Sequence, residues 1–107
     1  MHTGETEPET RVREALESLG LEFIQEAAIP GWPGPVDFLI PSTRLVIEVD
    51  GAYWHAKSAE RDARKDAYLR TRGYTVVRVG DDPFYGPLSD HMVSLVGAAV
   101  SGVEQLA

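Results

Sequence analysis

Cysteine is absent from the 107 residues, which excludes disulfides and thiolate zinc centres and makes a reducing compartment the simple reading. Long apolar runs are absent too. No stretch reaches the roughly 20 residues of a membrane span, and Met1-His2-Thr3-Gly4-Glu5 lacks the basic and apolar regions of a signal peptide. The expectation is a soluble, cytoplasmic chain with no membrane contact. Basic charge is scarce: 10 Lys and Arg face 17 Asp and Glu, a formal net charge of −7. Taken alone, that argues against a nucleic-acid partner. The length suits one core and not two, and no internal repeat is visible.

The distribution of charge alters that picture. Seven of the ten basic residues (Lys57, Arg61, Arg64, Lys65, Arg70, Arg72 and Arg78) fall in one segment, against only Glu60, Asp62 and Asp66. Seven of the 17 acids lie in the first 26 residues. The chain is polarised, with its basic part after its most unusual segment.

That segment is residues 36–55, V-D-F-L-I-P-S-T-R-L-V-I-E-V-D-G-A-Y-W-H. It reads as two strands joined by a Pro-Ser-Thr turn. Alternation places Asp37 with Leu39 on one face of the first strand, and Val36, Phe38 and Ile40 on the other. On the second strand it sets Val46, Glu48 and Asp50 against Leu45, Ile47 and Val49. Glu48 and Asp50 then point the same way, roughly 7 Å apart at Cα. Unpaired carboxylates in buried strands cost several kcal/mol, so something must compensate them.

Around this pair the order reads α-β-β-β-α-β-α. Residues 1–6 are expected to be disordered, and residues 7–107 to form the domain. Thr6 fits an N-cap for a helix over residues 7–19, with acids in its first turn, a stripe of Val12, Ala15, Leu16 and Leu19, and Gly20 just past its end. Residues 21–25 suit a short strand. Residues 29–35, I-P-G-W-P-G-P, make a rigid loop that is neither helix nor central strand. A second helix is expected from about residue 58 to 72. At 100° per residue it gathers Ala59, Asp62, Ala63, Asp66 and Leu69 on the sheet side, and Lys57, Arg61, Arg64, Lys65, Tyr68 and Arg72 on the outer side. Residues 74–79 form the clearest strand by composition, and residues 89–105 a last amphipathic helix.

Asp37, Glu48 and Asp50 together suit a hard cation such as Mg²⁺ or Mn²⁺, which takes oxygen ligands and keeps waters for a substrate phosphate. The alternative is that Asp37 caps a turn while Glu48 and Asp50 pair with arginines at the sheet edge. His55 follows the turn at Gly51 and, with an ordinary pKa of about 6.5, suits proton transfer; equally, it suits a loop histidine resting on Trp54. Asp62 and Asp66 are placed to orient the imidazole or to hold a metal through water; for Asp66 a pair with Arg70 or Lys65 along the helix is the alternative. Glu9 alone reads as a helix-dipole residue. Lys57, Arg61, Arg64 and Lys65 suit DNA phosphates, although a solvated helix face is the commoner meaning of such a run. Trp32, Tyr53 and Trp54 suit base stacking or ordinary packing.

In order along the chain, Pro8-Glu9, Val36-Asp37-Phe38, I-E-V-D-G at residues 47–51, Tyr53-Trp54-His55, Arg61-Asp62 and L-x-x-x-G-Y at residues 69–74 resemble the very-short-patch-repair (Vsr)-like endonucleases. These are a branch of the PD-(D/E)XK nuclease superfamily. The resemblance spans residues 7–79 and implies an α/β fold with an αβββαβ core, here with an additional C-terminal helix. It implies cleavage of DNA phosphodiester bonds with Mg²⁺ or Mn²⁺, by nicking or double-strand cutting. Asp37 then looks like the superfamily's metal ligand, and Glu48 like the acid of its E-x-K element, with the Val49 carbonyl or Asp50 completing the metal set. His55 matches the proton-handling histidine, and Asp62 and Glu9 match accessory acids of the related homing endonucleases. Asp50 departs from the pattern, since most of the superfamily has lysine there, and leaves water activation to His55, to a second metal, or to Lys57 or Lys65 reaching in. The missing cysteines remove the zinc site of the mismatch-repair enzymes. The small size and acidic total keep open a rival: a weakly catalytic nucleic-acid-binding module, acting as a homodimer or with a partner protein.

Overall fold

The computed structural model describes residues 7–50 and 55–80, together with residues 97, 98, 101 and 102. In chain order the elements are α1 (Glu7–Ser18), β1 (Ile24–Ala27), β2 (Val36–Ile40), β3 (Leu45–Asp50), α2 (His55–Thr71) and β4 (Thr75–Gly80). This is the expected αβββαβ order. The described residues of the last helix, Gly97, Ala98, Ser101 and Gly102, are helical; the rest of that segment, and the N-terminal tail with Thr6, lie outside the described residues.

The sheet runs β1-β2-β3-β4. The first three strands form an antiparallel meander, and β4 joins β3 in parallel through the α2 crossover. Because side chains alternate, the sheet has two buried faces. Against α1 (Val12, Ala15, Leu16) lie Phe38, Ile40, Leu45, Ile47 and Val79. On the α2 side, Leu69 packs with Ala27, Ile29, Val36, Val46 and Val76. No described helix is long and apolar enough to cross a membrane.

Both helices end in the same way. At α1, the Leu21 amide reaches the Leu16 carbonyl and the Gly20 amide the Glu17 carbonyl, with Gly20 at φ +71°; at α2, Tyr74 reaches Leu69 and Gly73 reaches Arg70. This paired closure needs a left-handed residue, which glycine supplies without strain. It also corrects the first strand. Leu21 is occupied in closing α1, so β1 starts at Ile24 and runs to Ala27 rather than over residues 21–25.

Two further corrections concern orientation. The α2 helix begins at His55, so this histidine heads a helix instead of ending a loop. Alternation also slips at the start of β2: Val36 joins the α2-side cluster, opposite Phe38 and Ile40. The paired register of β2 with β3 reaches only to Phe38–Ile47. Beyond it β2 is tied to β3 by side chains, while Val36 still pairs with Ala27 of β1.

The loop of residues 29–35 lies along α2 and leads directly into Asp37. The Tyr68 hydroxyl donates to the Pro30 carbonyl at 2.6 Å, and Lys65 Nζ donates to the Pro35 carbonyl at 3.0 Å. The Trp32 ring sits 5.5 Å from that of Tyr68, while the Arg61 and Arg72 guanidinium groups lie beside Gly34 and Gly31. Positions 61, 65, 68 and 72 form one helical stripe, so a single face of α2 holds the whole loop.

Candidate functional site

Where the β2–β3 ladder stops, two carboxylates replace it. The Val49 amide donates to Asp37 Oδ2 at 2.7 Å, and the Asp37 amide donates to Glu48 Oε2 at 3.0 Å. Each strand thus satisfies the other's backbone with an acid side chain. Burial pushes the Asp37 carboxyl up to about 7; the Val49 N–H pulls it down, and the nearby Glu48 and Glu9 charges add to the rise.

The slip in β2 brings Asp37 toward α1. Oxygens of Glu9, Glu26 and Asp37 all lie within 4.8 Å of one another. Asp37 therefore does not simply share the Leu39 face, and Glu9 is more than a helix-dipole residue. Glu26 was not among the expected residues. It falls opposite Asp37 because β1 pairs Gln25 with Phe38 and Ala27 with Val36, and it holds a left-handed φ of 55°. Only the register reveals it. Three convergent carboxylates, one of them buried enough to hold a proton near neutrality, form a donor set that fits a hard divalent cation.

Glu48 touches Asp37 with one oxygen and turns the other toward α2. It is 4% exposed, and its Oε1 lies 2.6 Å from Lys65 Nζ. The contact is an ion pair by distance, with angles outside hydrogen-bond geometry. Lys65 thus reaches from the stripe it shares with Arg61 into the site, and Ala63 is exposed rather than facing the sheet. The expected helix phase is corrected by about one residue. Charged groups on the sheet account for it: Glu48 draws in Lys65, and Arg78, its neighbour in register on β4, draws in the acids of α2.

Arg78 Nε and Nη2 donate to the two oxygens of Asp66 at 3.0 and 2.6 Å, and its Nη1 lies 3.8 Å from Asp62 Oδ2. Both acids lean on Arg78 of β4, and for Asp66 this bidentate pair takes the place of the expected alternative with Arg70 or Lys65 along the helix. Arg61 and Arg64 are exposed, Arg64 in a surface pair with Glu60 at 2.9 Å. Asp50 ends β3 beside Gly80 and Lys57 lies in the first turn of α2. The side chains of Asp50, His55 and Lys57 lie outside the described residues, as do Tyr53 and Trp54.

A parallel β3–α2–β4 unit beside an antiparallel hairpin, with acids at the strand end next to the crossover, defines a nuclease-type catalytic domain. The catalytic domain of the homing endonuclease I-Bth0305I superposes with a TM-score of 0.63 at 27% identity, covering 91% of this chain and 90% of that one. The family model described as DNA mismatch endonuclease Vsr matches residues 1–61. The Type II nicking enzyme V.XorIIP of Xanthomonas oryzae pv. oryzae is 32% identical, over 69% of this chain and 68% of its own length. An uncharacterized protein of Haemophilus influenzae is 42% identical over 48 residues, 40% of its length. The chain belongs to the Vsr endonuclease family.

Proposed function

We propose that this chain is a metal-dependent endonuclease that hydrolyses DNA phosphodiester bonds with Mg²⁺ or Mn²⁺. One observation carries the reading: Glu9, Glu26 and Asp37 converge from α1, β1 and β2 on one point, with the Asp37 carboxyl raised to about 7. Such a group calls for a proton or a cation, and the family supplies a use for the cation. The relatives' own descriptions, a nicking enzyme and a homing endonuclease domain, support DNA as the substrate.

Asp37 and Glu9 would hold the metal, with Glu26 beside them and Asp50 and the Val49 carbonyl from the end of β3. When bound, the cation polarises a phosphoryl oxygen and lowers the pKa of the attacking water. His55, heading α2 just past that strand end, accepts the water's proton or returns one to the leaving oxygen. The water oxygen bonds to phosphorus, the bond to one sugar oxygen breaks, and that oxygen leaves as a hydroxyl, so one water is consumed. Asp62 and Asp66, tied to Arg78, brace the helix that carries His55. Arg61, Arg64 and Lys57 meet flanking phosphates.

A supercoiled-plasmid assay tests this. Wild type is expected to convert supercoiled DNA to nicked or linear forms with Mg²⁺ or Mn²⁺ and to stop when chelator is added. Asp37→Ala should abolish cleavage, and His55→Ala should lower the rate by about 10²–10⁴-fold. Wild type that leaves every form intact with either metal would hand the case to the binding-module alternative.

A further inference from the structure

Both oxygens of Glu48 are engaged, one by the Asp37 amide and one by Lys65. Glu48 touches Asp37, yet it is not one of the three acids (Glu9, Glu26 and Asp37) whose oxygens all lie within 4.8 Å of one another. Lys65 is equally committed: its side chain is 15% exposed, with Nζ between Glu48 Oε1 and the Pro35 carbonyl. Ordering a lysine stem and desolvating its ammonium oppose folding. An apolar side chain would fill the space between helix and sheet without either cost, as Leu69 does one turn later. A positive charge at this point therefore calls for a use. An ammonium has three N–H donors; the Pro35 carbonyl accepts one, Glu48 Oε1 lies against the group as an ion pair, and among the described residues no further acceptor is seen.

We propose that Lys65 binds the phosphate undergoing cleavage, and that Glu48 is its positioning residue rather than a ligand of the metal. The proposal rests on the endonuclease reading and divides the site into two halves. Glu9, Glu26 and Asp37 take the divalent cation. Lys65, seated by Glu48 and Pro35, aims its remaining N–H at a non-bridging phosphate oxygen. The Asp37–Glu48 contact joins the halves, so cation and ammonium approach the same phosphate from two sides. The Lys65 ammonium stabilises the negative charge that builds on the phosphoryl oxygens. It lies beyond the 1–61 match to the family model.

Two measurements on Glu48→Gln, Lys65→Met, Lys65→Arg and Asp37→Asn decide it. The first is MnCl₂ binding by calorimetry on the DNA-free protein: Glu48→Gln and Lys65→Met should bind Mn²⁺ close to wild type, while Asp37→Asn should not. The second is steady-state nicking with Mn²⁺. Glu48→Gln and Lys65→Met should each lower kcat by about 10²-fold with KM little changed. The double variant should be no worse than the worse single one. Lys65→Arg should recover part of the rate, which a merely space-filling role would not require. Loss of Mn²⁺ binding in Glu48→Gln, with the wild type cleaving, would return Glu48 to the metal and overturn the proposal alone. Wild-type kcat in Lys65→Met would do the same, and that variant decides the matter if Glu48→Gln does not fold. A wild type inert toward DNA would bring down the endonuclease reading and this assignment together.

Discussion

Asp37 is the residue on which backbone and site both depend. Its carboxyl accepts the Val49 amide while facing Glu48 and Glu9, and burial lifts it from an ordinary 3.8 to about 7. The consequence for stability has a definite sign. Between those two values the native state keeps a proton that the unfolded chain has released, so the metal-free fold loses stability as pH rises from about 4 to 7 and levels off above. In chelator, the melting temperature should fall across that range for wild type and change less for Asp37→Asn, which carries no titrating group there. Divalent metal competes with the same proton, so Mn²⁺ should raise the melting temperature more at pH 8 than at pH 6. Parallel wild-type and Asp37→Asn curves would show that Asp37 does not titrate as its surroundings dictate. Sequence alone reveals that Asp37 and Glu48 are special, because charge in an apolar strand is conspicuous. Glu26 stays hidden, since it gains its meaning from a residue more than ten positions away; Lys65 is marked by the sequence as a lysine able to reach in, but its seat between Glu48 and Pro35 shows only in the fold.

At the level of elements, patterns that depend on a few neighbours were legible and those that depend on packing were not. Strand alternation identified β2 and β3, and glycine marked both helix ends. The start of β1 was missed because the helix closure at Leu21 takes up residues that read as strand. The phase of α2 was missed because its burial follows charge pairing with Glu48 and Arg78 as much as apolar contact with Leu69. The proline-rich loop was correctly expected to be irregular, yet its seat on α2 was not visible. Gly31 shows how tight that seat is. Its φ is +85°, and an added Cβ would collide with the Tyr68 hydroxyl, which is itself bonded to Pro30. Gly31→Ala should therefore destabilise the fold by about 1–3 kcal/mol, read as a lower urea midpoint. Since the loop leads into Asp37, Mn²⁺ affinity should fall as well. An unchanged midpoint would mean that the loop is not held against α2 in this way.

Across the whole molecule, the net charge of −7 conceals a division of labour. Acids of α1 pair locally, Glu17 with Arg13 at 3.0 Å and Glu14 with Arg11 at 3.9 Å, and such exposed pairs contribute little to stability. Arg61, on the same stripe as Lys65, and Arg64 are both exposed, and under the endonuclease reading they would flank a phosphate held in the site. Arg64 also holds Glu60, but both side chains are largely exposed, so a phosphate can replace that partner with little loss. A net charge of −7 opposes DNA at long range, so under the proposed reading the attraction would come from short-range pairing at the α2 face, where each neutralised phosphate releases counterions. Arg61→Glu/Arg64→Glu should thus weaken DNA binding in chelator and flatten the dependence of log affinity on log salt by roughly one unit for each phosphate no longer neutralised. Arg11→Glu/Arg13→Glu makes the same change in total charge on α1 and separates local pairing from long-range repulsion. If both double variants weaken binding equally and leave the slope intact, overall charge governs association and the α2 face is merely solvated. If only the α2 pair changes the slope, this face is where the DNA backbone lies.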